Sequence, residues 1–240
     1  MAIARALPSA NQDGAAVATP TRTGRYGEAY NCDVSNKELF AADEGSQFVA
    51  INPTAGTGIT GHAAPTTFDE TKANILIYNG NGLGGPRIYL QSIKLVETVV
   101  SVGGTRMQMN FSTDTGNLFS SGGTALTINN VNKDSANTSK AIITAGAVVC
   151  SAATSTRSLL GNHVIRGANI DVVWDVYEFI FGAPGGSTGD GAQGTTAAQV
   201  FTTHMHPIVI GPGQMFKMVI WAASMSTGPT FEYLVNYIER

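Results

Sequence analysis

His204-Met205-His206 puts two imidazoles two residues apart, and alternate residues of a strand face the same way, so the pair could share a metal ion. A working site also needs a carboxylate or further histidine close by. Here Pro207-Ile208-Val209-Ile210-Gly211 follows, and no histidine occurs after His206. His62 and His163 lack ligand-like spacing. The reading is therefore a surface or subunit-contact pair, with no metal. The stretch Gly182–Gly194 has the glycines of a phosphate cradle but no Gly-Lys-Ser/Thr, so it reads as a surface loop. The carboxylate pairs Asp43-Glu44, Asp69-Glu70 and Asp171 with Asp175 read as solvated faces, since acid–base work needs carboxyls converging in a cleft. No enzymatic activity and no cofactor are expected from these residues.

Composition narrows the remaining classes. Charged residues make up 13% of the 240-residue chain and glycine contributes 28, a balance that suits short strands, tight turns and surfaces buried against other chains. A formal net charge of −3 gives no electrostatic case for nucleic acid, and no apolar run is long enough to cross a membrane. The first residues, Met1-Ala2-Ile3-Ala4-Arg5, show no secretory pattern, so Cys32 and Cys150 are expected as two buried free thiols.

The elements that would position any site are strands. Gln47–Ile51, Asn74–Tyr78, Arg87–Glu97, Thr105–Ser112, Ser139–Cys150, Asn169–Phe181, Met215–Trp221 and the last ten residues are bounded by turn chemistry, and no long helix interrupts them. Met107, Met109 and Phe111 share one strand face. In the run to Phe181, Val172, Trp174 and Val176 are set against Asp171, Asp175 and Tyr177. Gly211-Pro212-Gly213 specifies a type II turn, and Trp174, Trp221, Phe216, Phe231 and Tyr233 read as core. The expected fold is all-β, a single jelly-roll-like antiparallel β-sandwich of about eight strands over residues 46–240. Residues 1–45, small and polar with no sustained period, form an extended N-terminal arm that lies on a neighbouring subunit.

Several stretches together carry a family resemblance. Pro207-Ile208-Val209-Ile210-Gly211-Pro212-Gly213-Gln214, the strand ending in Trp221, and the closing Phe231-Glu232-Tyr233 and Tyr237-Ile238-Glu239-Arg240 resemble tailed-bacteriophage virion proteins. So do Thr23-Gly24-Arg25-Tyr26-Gly27-Glu28 and Ala41–Ala50. The resemblance covers most of the chain and is a pattern of strand ends. It implies a structural virion protein: a jelly-roll homotrimer that decorates or cements the capsid, or a short fibre protein. The arm would tie it to other virion proteins such as the major capsid protein. Arg22, Arg25 and Tyr26 are the expected anchors to the shell, offering directional hydrogen bonds and a ring among small residues. The alternatives are a receptor- or carbohydrate-binding head of a tail fibre and a small jelly-roll major capsid protein.

Overall fold

The computed structural model describes residues 41–151, 158–164, 172–182 and 198–240. Fourteen strands run through them: β1 (Gln47–Ile51), β2 (Ile59–Thr60), β3 (Lys72–Asn79), β4 (Ile88–Val99) and β5 (Val102–Asp114). There follow β6 (Phe119–Ala125), β7 (Thr127–Asn130), β8 (Ala141–Cys150), β9 (Ser158–Val164) and β10 (Val176–Phe181). The last four are β11 (Val200–Met205), β12 (Ile208–Ile210), β13 (Met215–Thr227) and β14 (Thr230–Glu239). One sheet has the order β11-β10-β4-β14-β1-β7, with β12 added to β4 and β2 to β14; the other has the order β6-β8-β3-β13-β5-β9. Pairing is antiparallel except between β10 and β11, which run parallel.

The chain is thus all-β, and the expected eight strands become fourteen. The additional strands carry weak patterns. β2 and β12 span two and three residues, and β6 reads Phe-Ser-Ser-Gly-Gly-Thr-Ala, with every residue exposed.

Period-2 alternation builds the core between the sheets. From β5, Met107, Met109 and Phe111 point inward and are fully buried, as their spacing predicts; from β14, Phe231, Tyr233, Val235 and Tyr237 do the same. β4 changes phase midway, with Ile88 and Leu90 inward and then Ile93 and Leu95. A bulge absorbs the slip. Leu90 pairs with Tyr237 and Ser92 with Asn236, leaving Gln91 as the extra residue.

The two sheets meet through aromatic rings. Phe111 of β5 packs edge-on against Phe179 of β10 with centroids 4.9 Å apart, and it stacks on Phe216 of β13 at 6.1 Å. Burying such a ring stabilises the fold by about 2–3 kcal/mol, and a well-placed ring pair adds about 1 kcal/mol.

A second, smaller cluster, Leu76, Val148, Cys150 and Met215 with Tyr78 and Leu118, lies on the opposite face of β3 and β8. The connection from β5 to β6 passes there, since Leu118 N–H contacts Met215 Sδ at 3.2 Å and Leu118 O accepts from Ser151 N–H.

Residues 41–45, assigned by sequence to the arm, are joined to this body. Ala41 is buried, its carbonyl accepts from both the N–H and the hydroxyl of Ser46, and Glu44 pairs with Arg240. Residues 1–40 lie outside the described residues.

Candidate functional site

The residues singled out by sequence separate widely. His204 is half-buried one residue before the end of β11, while His206 lies beyond the strand end and is exposed. Among the described residues no three His, Cys, Asp or Glu side chains come together as a metal site. The Gly211–Gln214 turn forms as expected, with Gln214 N–H donating to Gly211 O and Gly213 at φ +74°. Cys150 is a buried free thiol; burial pushes its pKa up, against a smaller opposing effect of the Lys217 charge. Cys32 and the expected anchors Arg22, Arg25 and Tyr26 fall outside the described residues, as do Asp171 and nearly all of the glycine-rich loop. That loop contains Gly185-Gly186-Ser187-Thr188-Gly189, the spacing of a nucleophile elbow. The elbow operates at a strand-to-helix turn of an α/β sheet, and the described residues form an all-β body.

Two sequence assignments are overturned at one place, the turn entering β10. Asp175 is fully buried instead of solvated, and Trp174 is 62% exposed instead of packed in the core. The strand begins only at Val176, so its inward face is Tyr177, Phe179 and Phe181. The turn is held from beneath. Asp175 accepts from the N–H groups of Val172 at 3.0 Å and Gln199 at 2.8 Å, one on each carboxylate oxygen. Its own N–H donates to Val172 O, and Trp174 N–H donates to Glu97 O at 2.7 Å. Beneath the turn, the Tyr177 hydroxyl lies 3.2 Å from both Asp175 Oδ2 and Glu97 Oε2. Glu97 and Tyr177 are also fully buried. Asp175, held by two backbone N–H groups, and Glu97 share the Tyr177 hydroxyl, and together they form a scaffold that ties the loop to β4 and β11.

That scaffold presents Trp174 to solvent at φ +75°, a left-handed conformation that costs a bulky side chain about 1–3 kcal/mol. The neighbouring strand ends carry exposed valines. Trp174 is bonded to Glu97 near the end of β4, and Val176 pairs with Val200. The β4–β5 turn adds Val99 and Val102, across from the β13–β14 turn. Val99, Val102 and Val200 are 55%, 57% and 60% exposed. The described stretches at this end, 98–105, 172–174, 198–203 and 222–231, contain no Asp, Glu, Lys or Arg. Sequence reading missed the feature because its parts, from Val99 to Val200, are spread over about a hundred residues and join only through strand register.

The other end of the molecule is charged. Arg87 precedes β4, Glu239 and Arg240 end β14, and Lys133, Asp134 and Lys140 lie in the β7–β8 connection. Glu239 accepts there from Asn81 Nδ2 (2.7 Å), Ser139 Oγ (2.5 Å) and Lys140 N–H (3.3 Å), tying β14 to two loops. Comparison of the chain with protein families, with characterised proteins and with solved structures finds no match.

Proposed function

We propose that the chain is a structural virion protein of a tailed bacteriophage. In this reading it is a capsid-associated decoration, cement or short fibre protein that self-assembles as a homotrimer. Its arm, residues 1–40, ties it to the shell through Arg22, Arg25 and Tyr26, and the body is of the jelly-roll type. The observation that carries this reading is the apolar, uncharged end built around Trp174. A protein that acts alone gains nothing from holding a tryptophan and several valines in water at a strained backbone, whereas an assembling one does. The way the chain alternates between sheets, β3 to β4 to β5 and β13 to β14, supports the jelly-roll assignment. The test is mass spectrometry of density-purified phage particles from the source that encodes the chain, with the arm-deleted protein compared for co-sedimentation. Absence of the protein from intact particles overturns the reading.

One observation favours the second reading, a carbohydrate-binding fibre head. A surface recess of about 490 Å³ is lined by Pro53, Thr54, Thr57, Thr60, Gly123 and Thr124, hydroxyl-rich and uncharged, as a neutral glycan would require. Glycan-array binding abolished by Thr57→Val with Thr124→Val would favour it.

A further inference from the structure

We propose that copies of this chain meet through the uncharged end, like end against like end, with Trp174 and the valines of the β4–β5 turn at the centre of the contact. The inference rests on the self-assembly part of the reading above and names the surface that performs it.

The first argument is that this surface is built at a penalty to the fold. Glycine or asparagine would occupy the left-handed position of the turn without strain, yet a tryptophan stands there with most of its ring in water. Its position is fixed by buried groups, Asp175 and Glu97, so the ring is displayed on a rigid base. A rigid aromatic anchor loses little side-chain freedom on binding, which is why tryptophan dominates the centres of protein interfaces.

The second argument is size. One tryptophan and five valines (Val99, Val100, Val102, Val173 and Val200), exposed to this degree, offer apolar surface on the scale of the largest patches of soluble monomers, about 300–600 Å². That is a large share of the about 800 Å² each partner gives to a stable interface.

The third argument selects the occupant. The opposite end carries Arg87, Lys133, Asp134, Lys140 and the Glu44–Arg240 pair. Seating that end on the valines of the next copy would strip water from Arg87, Lys133 and Lys140 against a surface that offers no opposite charge. A head-to-tail stack is therefore disfavoured, and among the described residues the same end of another copy is the surface that matches in polarity. At the margin, the nearest exposed charge on β5 is Arg106, in a bulge where the chain again turns left-handed at φ +58°. An apolar centre with a charged rim is how stable interfaces are laid out. Ends converging in this way close a ring about a symmetry axis, whereas head-to-tail contacts would propagate.

The experiment is sedimentation velocity on the full chain across micromolar concentrations. It compares the wild type with Trp174→Glu, Val102→Lys and, as a control at the charged end, Leu83→Glu, which alters a fully exposed leucine. Circular dichroism checks folding, and Trp174→Gly removes the ring without adding charge if the glutamate variant does not fold. The expected result is an oligomeric wild type and Leu83→Glu, with the Trp174 and Val102 variants weakened at least tenfold toward monomer. An oligomer that survives both neutral-end substitutions overturns the surface assignment while leaving self-assembly intact. A monomeric wild type overturns both. Flotation of the wild type, but not Trp174→Glu, with phosphatidylcholine vesicles would show that the end meets lipid and overturns the proposal.

Discussion

At the scale of single residues, the turn at 172–175 separates what holds the fold from what the fold displays. Asp175 satisfies two backbone N–H groups in a fully buried position, so Asp175→Ala should lower stability by about 2–4 kcal/mol in urea unfolding. Trp174 contributes the opposite balance. Trp174→Gly relieves a positive φ and gives up little burial, so its melting temperature should equal or exceed that of the wild type. A marked fall in melting temperature would show the ring to be part of the core. Asp69 gives a pH dependence. A hydrogen bond from the Thr71 hydroxyl is the main cause that holds its carboxyl below the usual range, with the Thr71 N–H and Lys72 assisting. A carboxylate lowered in the folded state stabilises above its unfolded value of about 4 and loses that contribution as pH falls from there through its lowered folded value. With the side chain more than a third exposed, solvent screening keeps the effect well under about 1 kcal/mol. Thermal melts of Asp69→Asn should therefore fall slightly below the wild type near neutrality and converge with it in acid. Neither Asp175 nor Trp174 was legible in the sequence: both sit in a run of alternating apolar and acidic residues, and no residue type marks a left-handed turn carrying tryptophan.

At the scale of elements, strands with one buried face announce themselves and edges do not. Met107, Met109 and Phe111 could be assigned to the core from spacing alone, because one side of β5 is core and the other is polar. β6 could not, since a strand exposed on both faces has no period to read; it is held by its ladder to β8 across two bulges, one between Phe119 and Ser121 and one between Gly122 and Thr124. Bulges of this kind also twist an edge away from unwanted partners. Glycine matters most at Gly146 in β8. Its φ is +91°, and an added Cβ would come within 2.4 Å of Ile59 Cγ2 and 2.9 Å of Thr60 O. Gly146→Ala should thus displace β2 and lower stability by about 2–4 kcal/mol. Gly213→Ala, at φ +74° in open space, should lose only about 1 kcal/mol. Equal losses in chemical denaturation would mean that backbone strain alone, rather than the close approach of β2, governs Gly146.

At the scale of the molecule, the periodic apolar faces begin at Phe48, and the described residues by themselves build a continuous core between the sheets. Deleting those residues should leave a cooperative melt and a strand-rich circular dichroism spectrum while abolishing co-sedimentation with particles. An unfolded truncation would place the arm in the core, and undiminished binding would place the anchor elsewhere. The all-β class and the principal strands were readable because burial imposes a period of two. The pairing order was not, because it depends on contacts between residues far apart in the chain. The same holds for the two ends of unlike polarity.

The placement of β14 carries a consequence for time. It lies between β4 and β1, pairing Tyr233 with Leu95 and Gln47 with Ile238, so the larger sheet is closed by a strand whose neighbours were made long before it. Closing loops of that length precedes any return in contact energy, and chains built on such pairings fold slowly, on the scale of milliseconds to seconds or longer. Until β14 arrives, β4 and β1 wait with open edges, exposed to neighbouring nascent chains. Once seated, it cannot leave without breaking two ladders at once, so the barrier that delays assembly also retards decay.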